Sequence, residues 1–186
     1  MLSEPLVDRP RASPWFAGFV AVLVAIGLVT SWRSSLPKAQ PVELLQEKDL
    51  DAVRKMFAYV VQGKLQQHCV QAAQHVAQAD VVWDASSDAM PHVRGARVYH
   101  GLQGFCDFFA FIQTFRQPDY SLLEMLHSGT GTVIVKESLT PTVIATNETA
   151  AHAMQNLVEY KVRDGKLASM KVYWGEPATF DALFVK

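Results

Sequence analysis

Residues 150–174 read AAHAMQNLVEYKVRDGKLASMKVYW, with two runs of alternating apolar and polar residues around a central Asp-Gly pair. Alternation at every second position, as at Val158 and Tyr160, is typical of a strand with one buried face. The Asp164-Gly165 pair favours a two-residue β-turn, because both residues tolerate positive φ. The stretch therefore predicts a hairpin of two antiparallel strands, Ala150–Arg163 and Lys166–Trp174.

Further strands are predicted on the N-terminal side of this hairpin. Two segments that follow Pro118 alternate in the same way, Tyr120–Ser128 and Thr132–Ala145. Two shorter segments flank a loop that contains Pro91, Asp80–Ser86 and Val93–Tyr99. The second half of the chain thus predicts a curved antiparallel sheet.

Helical periodicity marks three other segments. In the first, Leu50, Val53 and Phe57 recur near the 3.6-residue period, and Gly63 is a suitable stop. The three predicted helices are Val42–Gln62, Lys64–Gln78 and Gly101–Phe115. Helices followed by a meander of strands predict an α+β domain in which the curved antiparallel sheet packs on three helices.

This order of elements resembles the nuclear-transport-factor-2-like superfamily, which includes SnoaL-like cyclases, ketosteroid isomerases and scytalone dehydratase. The local residues that carry the resemblance are Val82-Trp83-Asp84, Gly95, Tyr99-His100-Gly101, Val162 to Leu167 and Val172-Tyr173-Trp174. The resemblance covers about Val42 to Pro177. It implies a cone-shaped fold with a pocket between the concave face of the sheet and the helices.

In enzymes of this superfamily, acid and base side chains in that pocket move protons. Strand alternation places Glu137 with Val133 and Val135, and His127 with Met125, on inward faces. The candidate acid/base residues are Asp84, His127 and Glu137, and the candidate pocket residues are Trp83, Tyr99, Phe108, Asn156 and Tyr160. Each has a structural alternative, such as a loop cap at Asp84 or a solvent-facing Glu137. No metal-ligand or cofactor motif is present, so neither is expected.

Two helices carry features of a docking surface. From Leu65 through Ala79 the chain has no charged residue other than histidine, and uncharged amides are easier to desolvate against a partner than charges. The helix from Gly101 is apolar over about twice the arc that a core-facing helix needs. The candidate docking residues are Gln67, Gln71, Gln74, His75, Gln78 and Phe111. The alternative is that the excess apolar arc faces a ligand pocket.

Residues 15–32 form an uncharged stretch bounded by Trp15 and Trp32, long enough at about 1.5 Å per residue to cross a bilayer. They predict a transmembrane helix between a tail, residues 1–14, and a tether, residues 33–41, with the soluble domain at 42–186. A cleaved signal peptide is the alternative, but no small-x-small cleavage site follows. Arg9 and Arg11 precede the stretch and two basic residues follow it, so charge does not set the orientation.

Composition narrows the function classes. Seventeen basic and 18 acidic residues with no basic run argue against nucleic-acid binding. Cys69 and Cys106 both lie in apolar helical stretches and favour buried free thiols, with a single disulfide as the alternative.

Together these features predict a single-pass integral membrane protein of unassigned organelle. The leading expectation is a non-catalytic accessory or assembly subunit whose partners are the lipid bilayer and other subunits of a membrane complex. The alternative is a SnoaL-like isomerase, cyclase or dehydratase, or a carrier, of a small apolar ligand.

Overall fold

The computed structural model describes residues 41–117, 119–129 and 131–185, and for residues 41–45 and 67 the backbone only. The predicted tail, the membrane helix Trp15–Trp32 and nearly all of the tether lie outside the described residues. Within the described part, no helix is both long enough and apolar enough to cross a bilayer.

Helices and short strands alternate in the first half of the described chain. The elements there are α1 (Pro41–Val61), α2 (Lys64–Gln67), α3 (Cys69–Ala73), β1 (Ala77–Asp84), β2 (Val98–His100), α4 (Gly101–Ile112) and β3 (Phe115–Arg116). Gly63 ends α1 as predicted, because its φ of 67° lies in the left-handed region that glycine adopts without strain.

The second half is mainly β-sheet. Its elements are β4 (Ser121–His127), β5 (Thr132–Leu139), β6 (Thr142–Val143), β7 (Glu148–Thr149), β8 (Met154–Arg163), β9 (Lys166–Tyr173) and α5 (Pro177–Ala182). Asp164 and Gly165 connect β8 to β9 with φ values of 52° and 71°, as a tight hairpin requires. The predicted hairpin is therefore confirmed.

Two sheets form this α+β fold. The larger has the strand order β2-β1-β9-β8-β5-β4, and the smaller has the order β3-β6-β7. The larger sheet is mixed, because β1 runs parallel to β9, so the prediction of a fully antiparallel sheet is wrong. A long connection separates these two strands, and no hairpin forces them to be antiparallel.

The main core lies between the larger sheet and the helices. α1 lies across β4, β5, β8 and β9, and Trp83, Phe105 and Met170 are fully buried beneath the helices. A second cluster, around Phe115 and Phe180, packs the smaller sheet and α5 against the start of β8, at Met154.

Several predicted boundaries are wrong. The helix predicted at Lys64–Gln78 is two short helices, because His68 has non-helical φ and ψ of −132° and 51°, and β1 begins at Ala77. The strand predicted at Val93–Tyr99 is limited to Val98–His100, since turns occupy the preceding residues. α4 ends at Ile112 rather than Phe115.

Two later strands are also shorter than predicted. The strand predicted at Thr132–Ala145 ends at Leu139, and Thr142–Val143 joins the smaller sheet after Pro141, which cannot donate to a ladder. The strand predicted to begin at Ala150 begins at Met154.

The expectation of free thiols is also wrong. Cys69 in α3 and Cys106 in α4 form a disulfide with their Cα atoms 5.8 Å apart. The turn at His68 brings the N-terminus of α3 against α4, so the two side chains meet.

Candidate functional site

A cavity lies between the concave face of the larger sheet and the helices α1 and α4. Its volume is about 120 Å³, close to the roughly 150 Å³ of an apolar cavity that accommodates benzene. Its aromatic walls include Trp83, Phe108, Phe109, Phe115, Trp174 and Phe180. In this conformation the cavity accommodates a ligand of about the size of one small ring.

Among the described residues that line this cavity, Glu137 is the one with a carboxyl group. It lies on β5 on the same face as Val133, Val135 and Leu139, which are all buried, as strand alternation predicts. The Tyr120 hydroxyl donates a hydrogen bond to Glu137 Oε2 at 2.9 Å. The Asn156 amide donates to the other carboxyl oxygen, Oε1, at 3.2 Å.

Burial raises the pKa of Glu137, and the hydrogen bonds from Asn156 and Tyr120 offset only part of that increase. Protein surrounds the carboxyl, although Glu137 retains some accessible surface because it borders the cavity. A raised pKa makes the carboxylate a stronger base than one in water, which favours a role as a general acid/base group.

Two tyrosines near this carboxyl retain their protons. Burial and the charge of Glu137 raise the pKa of Tyr120 and that of Tyr160 well above the ordinary value. Both hydroxyls therefore remain hydrogen-bond donors throughout the physiological range.

Asn156 links Glu137 to the backbone of the following strand end. Its side-chain oxygen accepts a hydrogen bond from the Gly175 N–H at 3.2 Å. Because the amide oxygen is occupied in this way, the amide nitrogen faces Glu137 as a donor. Asn156 is 3 % exposed, so contacts within the protein, and not solvent, determine the orientation of its amide.

Trp83 contributes a second polar feature at the cavity wall. The residue is 1 % exposed, and its indole Nε1 has no hydrogen-bond partner among the described residues. Its ring packs edge-on against Phe105 and Tyr160, with centroid distances of 4.7 and 6.1 Å. An unpaired buried donor has a free-energy cost of about 1–3 kcal/mol, which a ligand oxygen that reached it would offset.

Asp84 does not line the cavity. It follows Trp83 on β1 and so points to the opposite face of the strand. Its Oδ1 accepts hydrogen bonds from the Ser86 backbone and hydroxyl, and Lys171 lies 3.6 Å from Oδ2. Burial raises the pKa of Asp84, but the hydrogen bonds from Ser86 and the charge of Lys171 outweigh it and lower that pKa overall.

His127 also lies away from the cavity lining. Its Nδ1 accepts a hydrogen bond from the Gly129 N–H, so its Nε2 donates to Asp49 Oδ2 at 2.8 Å. The His127 side chain is 9 % exposed. This pair joins α1 to the end of β4, and both ring nitrogens are engaged.

The structure divides the predicted pocket residues. Trp83, Phe108, Asn156 and Tyr160 line the cavity with Glu137. Tyr99 does not line it, since the Tyr99 hydroxyl donates to the Gly95 carbonyl at 2.8 Å.

Some of the predicted docking residues are exposed and others are not. Gln71, Gln74 and His75 are exposed, whereas Gln78 lies on β1 and donates to the Arg163 carbonyl. The side chain of Gln67 lies outside the described atoms. Phe111 packs over Gly95, where the ring leaves no room for a Cβ, so it faces inward.

Tyr120, Trp174 and Gly175 belong to the site but were absent from the predicted set. A shift in pairing between Leu122 and Glu124 interrupts the alternation of β4, so counting back from Met125 misplaces Tyr120. Trp174 belongs to the Val172-Tyr173-Trp174 motif of the family resemblance, and this motif is the sequence signal that points to Trp174 as a cavity residue. Among the described residues, no group of three or more His, Cys, Asp or Glu side chains is arranged to hold a metal ion.

The curved mixed sheet, the covering helices and the cavity between them define the nuclear-transport-factor-2-like fold, which SnoaL-like proteins share. The chain is similar to a nuclear-transport-factor-2-like protein of unknown function from Burkholderia pseudomallei K96243. The identity is 14% and the TM-score 0.59, over 75% of this chain and 98% of that one. The sequence itself matches no protein-family profile and no curated protein.

Two other solved structures show the same fold. TerC, co-crystallized with polyporic acid, is 18% identical with a TM-score of 0.56, over 74% of this chain and 98% of that one. A candidate SnoaL-like polyketide cyclase from Jannaschia sp. CCS1 is 12% identical with a TM-score of 0.57, over 81% and 99% of the two chains. At these identities the likeness concerns the fold alone.

Proposed function

We propose that this domain binds a small, apolar, ring-containing ligand and transfers a proton on it, as an isomerase, cyclase or dehydratase of the SnoaL-like kind. One observation carries the proposal: the Glu137 carboxyl borders an apolar cavity and accepts hydrogen bonds from Tyr120 and Asn156. Burial in apolar surroundings destabilises the charged form of a carboxylate, so a carboxylate at this position does not stabilise the fold. Its location favours a role in chemistry instead.

The proposed chemistry uses Glu137 as the base. Its carboxylate takes a proton from a C–H bond next to a ligand carbonyl. The electron pair of that bond forms a C=C bond, and the π pair of the carbonyl moves onto its oxygen. Tyr160 lines the same cavity, and its hydroxyl, which stays protonated, is the proposed donor to that oxygen. Glu137 then returns the proton to another atom of the ligand or to a leaving group.

Two proteins of similar fold bear on the class of ligand. TerC was co-crystallized with polyporic acid, and the Jannaschia protein is a candidate polyketide cyclase. These proteins share a fold and no more with this chain, so they favour a class of ligand without identifying one.

A probe that reports proton abstraction directly tests this function without the natural substrate. In 5-nitrobenzisoxazole, removal of the ring C–H proton by a base breaks the N–O bond and releases a coloured cyanophenolate. A desolvated carboxylate is far more basic than one in water, so the full-length chain in lipid nanodiscs should catalyse this reaction. Empty nanodiscs give the background rate.

Two matched variants decide the result. Glu137→Gln removes the base and should reduce the catalysed rate by at least about 100-fold, the low end of general-base effects. Glu159→Gln removes a carboxylate on the neighbouring strand that pairs with Lys161 and does not line the cavity, and it should leave the rate unchanged. Equal rates for Glu137→Gln and the native chain would overturn the proposal.

The membrane setting is a proposal of its own. It rests on the uncharged stretch at residues 15–32 and on a tether that extends at most about 30 Å over its nine residues. In this arrangement the ligand enters the cavity from the bilayer. Retention of the protein in membranes after an alkaline carbonate wash is expected, and release into the supernatant would contradict it.

A role as an accessory subunit of a membrane complex is the second proposal. Two observations favour this role. Gln71, Gln74 and His75 are exposed, and the segment from 65 to 79 contains no acidic residue. In mild detergent, the native protein should then migrate in a larger assembly that the double variant Gln71→Glu/Gln74→Glu disrupts. Migration as a lone 20.7 kDa chain with its micelle would exclude this role.

A further inference from the structure

The orientation of the Asn156 amide is determined by a contact at the end of β9. The Gly175 N–H donates to Asn156 Oδ1, which leaves the amide NH₂ group to donate to Glu137 Oε1. If the amide were reversed, its nitrogen would face the Gly175 N–H and its oxygen would face a carboxyl oxygen, so both contacts would be repulsive.

Gly175 can hold this contact because it has no side chain. A Cβ at this position would lie 1.8 Å from the backbone oxygen of Gln155, the residue that precedes Asn156. Only glycine allows the two backbones to approach so closely. The glycine therefore fixes the distance between its N–H and the Asn156 amide.

We propose that Asn156 is a positioning residue that holds the Glu137 carboxyl toward the cavity and stabilises its charged form. This inference rests on the proposed function, since it assigns Asn156 to the proton-transfer step through its hydrogen bond to Glu137. A buried amide that donates to a carboxylate stabilises the ionised form more than the neutral one.

The test measures the ionisation of Glu137 itself. The full-length chain, labelled with ¹³C at glutamate carboxyls, is titrated by NMR, and Glu137→Gln identifies the Glu137 signal. Asn156→Leu removes the donor at similar size and should move the titration midpoint of Glu137 upward by about one pH unit or more. Asn156→Ser, which is smaller, serves if the leucine variant does not fold.

Thr132→Val is the matched control. Thr132 is also a buried polar residue, 5 % exposed, on the same strand as Glu137, but its hydroxyl accepts from Lys161 instead. This variant should leave the midpoint unchanged. A midpoint in the Asn156 variants equal to that of the native chain would overturn the positioning role.

The two proposals can fail separately. If Glu137 titrates as expected in the Asn156 variants but Glu137→Gln retains native turnover of 5-nitrobenzisoxazole, the proposed function fails while the control of ionisation stands. If Glu137→Gln abolishes turnover but the Asn156 variants titrate like the native chain, only the positioning role fails.

The cysteines carry an independent indication of the compartment in which the domain lies. The chain has only two cysteines, and both are joined in the disulfide between α3 and α4. Disulfides of this structural kind form and persist in oxidising compartments and are rare in the reducing cytosol. We infer that the domain lies in an oxidising compartment.

This inference settles an orientation that the basic residues leave open. If residues 15–32 span the bilayer, the tail at 1–14 lies on the reducing side and the tether leads into the oxidising compartment.

Alkylation in intact cells tests this assignment. After cells are quenched with acid, a maleimide polymer added under denaturing conditions should shift the full-length chain on a gel only if a reductant was added first. The double variant Cys69→Ser/Cys106→Ser, which has no thiol, should never shift. A full shift of the native chain without reductant would show free thiols and overturn the assignment.

Protease accessibility checks the orientation separately. In sealed vesicles whose reducing face is outermost, a C-terminal epitope tag should be protected from added protease until detergent is added. Removal of the tag without detergent would place the domain on the reducing side and overturn the assignment.

Discussion

The Tyr120 hydroxyl lies 2.9 Å from the Glu137 carboxyl, in a cavity whose other walls are largely aromatic. Tyr120 precedes β4 and Glu137 lies on β5, so pairing between these two neighbouring strands fixes their separation. A carboxyl on a paired strand loses little positional freedom, which favours a preorganised acid/base group.

The stability of the protein should depend on pH through Glu137. Burial raises its pKa in the folded protein above the unfolded value of 4.5. A raised folded pKa means that its contribution to stability is full below pH 4.5 and is lost as the pH rises through the folded pKa. Glu137→Gln, which stays neutral, should therefore be as stable as the native chain at low pH and more stable above the folded pKa.

Urea unfolding of both chains across this pH range measures the difference. Glu159→Gln is again the control, because Glu159 lies outside the cavity, and it should not reproduce the stabilisation that Glu137→Gln shows above the folded pKa of Glu137. If the difference in free energy of unfolding between the native chain and Glu137→Gln were the same at every pH, the carboxyl would not be held in an apolar site.

Tyr120→Phe should move the pH–rate profile for 5-nitrobenzisoxazole to higher pH. The Tyr120 hydroxyl lowers the pKa of Glu137, and its loss removes a donor that stabilises the charged carboxylate by about 1.5–3 kcal/mol. At a pH below the new midpoint the rate should fall about tenfold, and it should recover at higher pH. A rate that is reduced equally at all pH values would indicate misplacement of the carboxyl instead.

Much of the sheet follows from local signals in the sequence. The Asp164-Gly165 turn and the alternation at Val158 and Tyr160 act between neighbouring residues, and the hairpin they predict is present. Alternation along β5 also places Glu137 on the inward face.

Other features depend on contacts between distant residues. Ala77 begins β1 because it pairs with Leu167 on β9, although alanine and glutamine in this segment favour a helix. The disulfide likewise needs the turn at His68 and the packing of α3 on α4. Tyr120 was missed because a local irregularity in β4 changes which residues face inward, and no side-chain pattern marks such an irregularity.

Asp84→Asn and His127→Gln should affect stability and leave proton abstraction unchanged. Asp84 accepts hydrogen bonds from Ser86, and His127 pairs with Asp49, and neither lines the cavity. Loss of a charged hydrogen bond of this kind typically reduces the free energy of unfolding by about 1–3 kcal/mol. Urea unfolding and the 5-nitrobenzisoxazole rate, measured on the same samples, separate the two effects. A rate loss as large as that of Glu137→Gln in either variant would assign that residue to the reaction after all.

Loss of the disulfide should destabilise the domain and leave the chemistry of Glu137 in place. The bond closes a loop with a sequence separation of 37 residues, for which restriction of the unfolded chain stabilises the fold by about 3–4 kcal/mol. Cys106 lies in α4, whose Phe108 and Phe109 form part of the cavity wall, so α4 should loosen when Cys106→Ser breaks the bond. We expect a lower free energy of unfolding in urea, faster amide hydrogen exchange in α4, and an unchanged pH dependence of the remaining turnover.

Addition of reductant to the native chain should reproduce these changes and should have no further effect on Cys106→Ser. A native chain whose stability does not respond to reductant under denaturing titration would mean that the bond is absent, and the assignment of the domain to an oxidising compartment would fail with it.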